Sequence, residues 1–324
     1  MSRRVLITGV AGQDGTYLAE RLLADGDEVI GTLRAVDAAA RAPRLGDRAR
    51  LVELDLRDPD AIRRVVAETR PDEIYHLAAP TFVPDSWEDP TDVTATIATG
   101  TATLLAAAGA LGGEVRVLVA TSSEIFGDAG VSPQTETSPM RPRSPYGVAK
   151  LAAHGLVRTL REHHGRFLVS AILYNHESPL RPPGFLPRKV SRGVAAIAAG
   201  RAETLTLGDL RAVRDWSHAR DVVDGMVRAL RHDEPGDYVL ASGVGRTVGE
   251  LVDAAFAAAG VARIAPDGRD RVEVDQRFVR EPEPWPLVGD ASKARGVLGW
   301  EPRVSFEQLV AEMVEADMAA LRAG

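Results

Sequence analysis

One stretch near the N-terminus constrains this chain more than any other: Val5-Leu6-Ile7-Thr8-Gly9-Val10-Ala11-Gly12-Gln13-Asp14-Gly15. Val5–Thr8 is a short apolar run with the chemistry of a buried strand, and Tyr17–Ala24 carries its apolar residues at helical spacing. Between them stand glycines at three-residue intervals. Glycine permits a tight turn and lets backbone amides approach a pyrophosphate at the positive end of the next helix. The usual dinucleotide fingerprint has a two-residue step between its first glycines, whereas the step here is three. Position sharpens the signal, because a strand precedes the loop and a helix follows it. Gly9, Gly12, Gln13, Asp14 and Gly15 are therefore candidate cofactor-binding residues.

The first half continues in the same rhythm. Strand-like segments Glu28–Leu33, Arg50–Leu54, Glu73–Leu77, Val115–Ala120 and Phe167–Leu173 alternate with helix-like segments, notably Asp60–Glu68 and Thr94–Leu111. Apolar strands alternating with helices predict βαβ units and a Rossmann-type, doubly wound parallel sheet covered on both faces. At 324 residues the chain has room for about two domains. Residues 1–174 are expected to bind the cofactor. After residue 175 the pattern shifts to a proline- and glycine-rich stretch, Ser178–Pro187, then a helix at Val190–Ala199, short strands and a last helix near Phe306–Leu321. Residues 175–324 are thus expected to form a smaller mixed α/β region for substrate, with Asp237–Leu240 able to return to the main sheet.

Charge narrows the partners. Basic residues number 39 and acidic ones 46, a net charge of −7, which speaks against sequence-independent binding to nucleic acid or an anionic membrane. The absence of cysteine removes disulfides, thiolate nucleophiles and cysteine-bound metals, and fits a reducing compartment. Met1-Ser2-Arg3-Arg4 runs straight into a strand, and no apolar run approaches the ~18 residues of a membrane span, so a cytoplasmic protein is expected. His163-His164 point in different directions on a helix and lack an evident third ligand, so no metal is expected.

Further cofactor contacts fall at strand ends. Strand two ends in Gly31-Thr32-Leu33-Arg34, and a guanidinium there suits the 2′-phosphate of NADP; the alternative is NAD held by Asp37. Asp55 and Leu56, after strand three, are expected to flank the adenine. Leu77, Ala79 and Thr81, after strand four, are expected beside the cofactor. Tyr146-Gly147-Val148-Ala149-Lys150 sets a phenol and an ammonium four residues apart on one helical face. Nearby positive charge favours phenolate, which predicts a tyrosine pKa drawn towards neutrality. Thr121-Ser122-Ser123-Glu124 follows strand five, at the sheet edge where open α/β folds bind ligands.

With these residues in view, the chain resembles the extended short-chain dehydrogenase/reductases, and among them the GDP-mannose 4,6-dehydratases. The shared runs are Ile7-Thr8-Gly9, Gly12-Gln13-Asp14-Gly15, Arg143-Ser144-Pro145-Tyr146, Asn175-His176-Glu177-Ser178-Pro179, Arg188-Lys189, Arg214-Asp215-Trp216, His218-Ala219, Gly289-Asp290 and Leu298-Gly299-Trp300. The resemblance implies that Tyr146, assisted by Lys150, takes the proton of a sugar 4-hydroxyl as hydride leaves C4. It further implies that Glu124 removes the C5 proton, that Glu124 or Ser122 protonates the departing C6 hydroxyl, and that hydride returns to C6. Ser122 stands where these dehydratases carry threonine, and the segment between Arg34 and Asp55 is shorter than theirs.

The resemblance also implies that His176 and Arg181 hold the cofactor. It brings Asn175 and Lys189 to the substrate, Arg214 and Arg280 to its diphosphate, and Glu283 to its base or ribose, with Arg188 a further loop cation. Loop geometry around Thr81, Ser86 and Ser178–Pro187 should shape the sugar contacts. Small residues on Thr94–Leu111 and Tyr146–His163 suit a paired-helix homodimer. Two other readings remain: an epimerase or dehydratase on a different GDP- or NDP-sugar, and a non-catalytic cofactor sensor. A 6-deoxy ketone separates dehydration from epimerisation, and the intact Tyr146/Lys150 pair argues against the sensor.

Overall fold

A computed structural model describes residues 2–34, 44–276 and 285–323. The first six strands run β1 Arg4–Thr8, β2 Glu28–Leu33, β3 Arg50–Glu53, β4 Glu73–His76, β5 Arg116–Ser122 and β6 Leu168–Leu173. Shorter strands follow: β7 Asn175–Glu177, β8 Leu205–Leu207, β9 Val213–His218, β10 Asp237–Leu240, β11 Gly245–Thr247 and β12 Val272–Val274. The helices are α1 Gln13–Ala24, α2 Pro59–Thr69, α3 Asp85–Glu88, α4 Pro90–Thr94, α5 Gly100–Gly109, α6 Pro145–His164, α7 Leu186–Ala198, α8 Ala219–Arg231, α9 Val248–Ala259, α10 Ser292–Leu298 and α11 Phe306–Ala323.

Seven parallel strands build the main sheet in the order β10-β6-β5-β4-β1-β2-β3. Successive residues of a strand point to opposite faces, and both faces here are buried. Val5 and Ile7 of β1 join the core under α1 and α8, with Leu18, Leu22, Val222 and Met226. Leu6 turns the other way and meets Ile62 of α2, Leu104 of α5 and Val157 of α6. β10 comes from the second half of the chain and pairs with β6, Tyr238 opposite Ala171.

A separate apolar core binds α7, α9 and α11, through Val190, Val194, Leu251, Phe256, Leu309 and Met313. Trp216 on β9 packs into it with its ring stacked on Phe306 at 6.0 Å. A three-stranded sheet, β11-β9-β7, is built from strands interspersed in sequence with this unit's helices.

The helix expected at Thr94–Leu111 differs from the observed form. It runs as α4, a π-helical turn at Ala95–Thr99, and α5. At the junction Gly100 lies against Leu56, whose carbonyl oxygen a Cβ would meet at 3.0 Å. Arg188 and Lys189, expected in a loop, lie in the first turn of α7, and Arg214 lies within β9. Helix α6 begins as its residues dictate: Pro145 holds a helical φ at the first position, and the Ser144 hydroxyl accepts the Gly147 amide at 3.1 Å.

Candidate active site

Strand order reverses between β1 and β4, the place where an open α/β sheet leaves a crevice at its C-terminal edge. Gly9 fills the turn after β1 with φ +75°, and a Cβ there would lie 2.9 Å from the Ala78 Cα. Gly15 is tighter, since its Cβ would sit 2.3 Å from the Gly9 carbonyl oxygen. Helix α1 then starts at Gly12 with no side chain capping it, so its first amides face the crevice edge uncapped. A cradle that tolerates only glycine, beneath an uncapped helix N-terminus, fits a dinucleotide diphosphate.

The opposite wall is tied to this loop. Thr8 Oγ1 accepts the amides of Leu77 at 3.0 Å and Ala78 at 3.1 Å, which occupies both its lone pairs. Its proton therefore goes to His76 Nδ1 at 2.9 Å, and His76 Nε2–H donates to Thr101 Oγ1 at 3.1 Å. Burial drives the His76 pKa down to about 3, so the ring is neutral as this bonding requires. Nothing in the spacing of Thr8, His76 and Thr101 announced this link.

Residues from the second half close the far side. Gln13 is buried; its amide donates to the His176 carbonyl at 2.9 Å and accepts the Ser178 hydroxyl at 2.8 Å. Asp14 pairs with His176 Nε2 at 2.9 Å, and His176 Nδ1 bonds the Tyr174 carbonyl at 2.6 Å. Burial works against both charges of this pair, but their mutual attraction prevails: Asp14 is held below the usual carboxylate range and His176 above the usual imidazole range. Arg181 pairs with the buried Glu177 at 3.1 Å. Gln13 thus binds the glycine loop to the substrate-side chain, a role the sequence pattern did not suggest.

Ser122, Glu124, Tyr146 and Lys150 line one cleft with Asp14, Leu77, Thr81, Asn175, His176 and Arg181. Lys150 Nζ donates to the Ala120 carbonyl at 2.7 Å and lies 5.8 Å from the centre of the Tyr146 ring. The Tyr146 hydroxyl bonds Ser122. Close approach of α6 makes this arrangement possible, because a Cβ at Gly147 would lie 2.6 Å from the Glu124 carbonyl oxygen.

The ionisation of the pair overturns one expectation. Burial pushes the Tyr146 phenol up to about 12, against a downward pull from its Ser122 hydrogen bond. Desolvation likewise lowers the Lys150 ammonium to about 8. In the protein alone, loss of hydration outweighs the field of a lysine that is itself expensive to keep charged.

Other expected contacts spread further. Arg34 lies exposed at the end of β2, and its charge helps lower the Asp55 pKa, behind the larger effect of Arg57. The Asp55 carboxylate is gripped by Arg57 at 2.6 and 3.0 Å, and Arg57 also reaches Asp92 at 2.9 Å. Leu56 is buried, and Ala79 packs partly buried against the same core. Ser86 is only 1% exposed, and its hydroxyl donates to the Val83 carbonyl at 2.6 Å, outside the cleft lining. Lys189 is exposed on α7, whereas Arg188 turns inward to Asp317 at 2.8 Å. Arg214 Nη1 donates to the Val213 carbonyl at 2.8 Å. Asp37, Arg280 and Glu283 lie outside the described residues. The cleft also has walls the sequence did not single out, Phe82, Val83 and Pro84, joined by Phe185 and Leu186 from the Ser178–Pro187 stretch.

A family described as "GDP-mannose 4,6 dehydratase" matches residues 6–313. The chain belongs to that family. Among its relatives, GDP-mannose 4,6 dehydratase 2 of Arabidopsis thaliana is 42% identical, over 97% of this chain and 86% of the plant protein. Solved structures of similar shape include RMD from Pseudomonas aeruginosa complexed with NADPH, at 26% identity and TM-score 0.82, covering 98% of this chain and all of the other. A Thermus thermophilus UDP-glucose 4-epimerase in complex with NAD has 28% identity and TM-score 0.83, covering 98% and 99% of the two chains. The fold of the GDP-mannose dehydratase family is thus shared with enzymes of other names, and the cleft residues must carry the distinction. Among the described residues no helix is long and apolar enough to cross a membrane.

Proposed function

We infer that this chain converts GDP-mannose to GDP-4-keto-6-deoxymannose, as a lyase with NADP held along the glycine loop. One observation carries the reading: Tyr146, Lys150, Ser122 and the Glu124 carboxyl share a single cleft beside the glycine cradle. When bound, the oxidised nicotinamide supplies positive charge and a hydride acceptor, and its reduced form a hydride donor. Arg34 at the end of β2 supports NADP over NAD, since a guanidinium matches a 2′-phosphate. His176, fixed between Asp14 and the Tyr174 carbonyl, and Arg181, fixed by Glu177, support the cofactor side.

The chain's own residues then act in order. Tyr146 takes the proton of the C4 hydroxyl; burial raises its pKa in the protein alone, and positive charge entering the cleft would favour the phenolate. Ser122 holds the Tyr146 oxygen from the other side. Oxidation at C4 leaves a ketone, which acidifies the C5 proton enough for the Glu124 carboxylate to remove it. Passing that proton to the C6 hydroxyl releases water and leaves a C5–C6 double bond, with Glu124 ionised again. As the C4 hydride would return to C6, the proton that Tyr146 took from the C4 hydroxyl would go to C5, giving the 4-keto-6-deoxy sugar and restoring both side chains. Asn175, lining the cleft, and Lys189 and Arg214 from the second half are assigned to the substrate. Residue 174 is best taken as a functional boundary, since β10 belongs to the main sheet despite lying beyond it. A homodimer through α5 and α6 completes the proposal, supported by Val148, 55% exposed on α6, and checked by light scattering at micromolar concentration.

The test is incubation with NADP and a panel of nucleotide sugars, read by mass spectrometry for loss of one water. GDP-mannose should lose water and yield a 6-deoxy ketone. Glu124→Gln should abolish that loss while GDP-mannose still binds. An isomer of unchanged mass, or full dehydration by the variant, would defeat the assignment.

A further inference from the structure

Two aromatic rings meet across the cleft from opposite halves of the chain. Phe82 follows β4, Phe185 precedes α7, and their centroids stand 5.5 Å apart at 80°, edge to face. Both line the cavity that holds Tyr146 and Glu124. Phe82 is 39% exposed and Tyr146 only 7%, so the rings stand on the solvent side and the chemistry on the floor.

The two backbones are anchored while the contact between rings is weak. The Phe82 carbonyl accepts the Asp85 amide at 3.1 Å, and that of Phe185 accepts the Lys189 amide at 2.8 Å, each at the start of a helix. The Arg181 guanidinium lies 3.7 Å from the Phe185 ring centre and is itself paired with Glu177. Phe185 is therefore backed on one side, and Phe82 is the ring with room to turn. An edge-to-face pair biases its contact by a factor of only about two to ten, which an entering ligand can overcome.

We propose that Phe82 and Phe185 form a gate over the cleft, closing behind the nucleotide sugar and retaining the oxidised hexose until water has been eliminated. The inference rests on the dehydratase reading. After the first half-reaction the hydride from C4 sits on the cofactor and the hydroxyl proton has gone to Tyr146. A 4-keto-hexose that escapes then carries off the carbon skeleton and strands one reduced cofactor per molecule released. Tyr146 and Glu124 do not prevent that loss, because they act on the sugar only while it remains.

The experiment uses the NADP-loaded protein with GDP-mannose and follows two quantities. Borodeuteride trapping with mass spectrometry counts released 4-keto-hexose, and near-ultraviolet absorbance counts reduced cofactor. Phe82→Ala should raise both in equal amounts, by about two- to tenfold over the wild type. Phe82→Leu, which keeps an apolar cover, should restore most of the retention. The Phe82→Ala/Phe185→Ala double variant should leak no more than the leakier single variant, since either loss opens the same gate. Multiplying effects, or leakage by Phe82→Ala at the wild-type level, would overturn the gate while leaving the dehydratase reading intact. A wild-type protein that forms no 6-deoxy ketone would overturn that reading and the gate with it.

Discussion

The two edges of the main sheet both bury charge, and Tyr146 and Lys150 at one are treated oppositely to the carboxylates at the other. At the N-terminal edge, Arg231 from the end of α8 reaches Asp27 at 2.5 Å and Glu73 at 3.0 Å, and Arg3 adds a contact to Glu73 at 3.2 Å. Glu73 is 1% exposed, yet cations meet it from two directions. At the C-terminal edge, buried Lys150 meets a carbonyl, and Tyr146 a hydroxyl, rather than opposite charges. Paired charge holds the first edge together. Desolvated groups at the second sit away from their ordinary pKa values, which is how binding sites are prepared for proton movement.

The sharpest way to break this contrast is to remove the phenol. Tyr146→Phe should lower kcat by about a thousandfold, with the urea midpoint unchanged or slightly raised. A large loss of stability would mean that the hydroxyl belongs to the packing rather than to the chemistry. Next comes Arg231→Met, which takes the shared guanidinium from Asp27 and Glu73 and should cost about 3–5 kcal/mol of stability in urea titrations. Variant still folded should keep near-wild-type kcat, because the two edges lie at opposite ends of the strands.

The smallest effect sharpens the comparison through pH. Burial lowers Lys150 from 10.5 to about 8, so between those values the unfolded chain holds a proton that the folded one lacks. Stability therefore rises with pH across that window, the penalty being whole below pH 8 and gone above 10.5. In cofactor-free protein, Lys150→Met escapes the penalty and should exceed the wild type by about 1–3 kcal/mol at pH 7. The gap should narrow as pH climbs to 10.5. A gap independent of pH would show that Lys150 is not carrying a buried charge.

Much of the fold could be read from periodicity. Glu28–Leu33 is a strand with the expected limits, and Phe306 opens the last helix as anticipated. Such segments are legible because burial on two faces demands continuous apolar residues, and burial on one demands a helical stripe. The broken helix at Ala95–Thr99 was hidden, since its neighbour Leu56 comes from across the fold. The site divides in the same way. Glycines after β1 and the Tyr146/Lys150 pair are local patterns. Phe82, Phe185 and the Thr8–His76–Thr101 chain join residues 25 or more positions apart, with no periodicity to mark them.

Residue order was enough to settle the alternating architecture, the glycine turn and the spacing of Tyr146 and Lys150 on one helical face, because each follows from neighbours along a strand or helix. Packing alone set how those groups ionise and what covers them. A lysine beside a tyrosine on a helix suggests an acidified phenol, yet burial of both raises the Tyr146 phenol to about 12 and lowers Lys150 to about 8. Desolvation depends on what the rest of the chain lays over a residue, and that is a property of three dimensions.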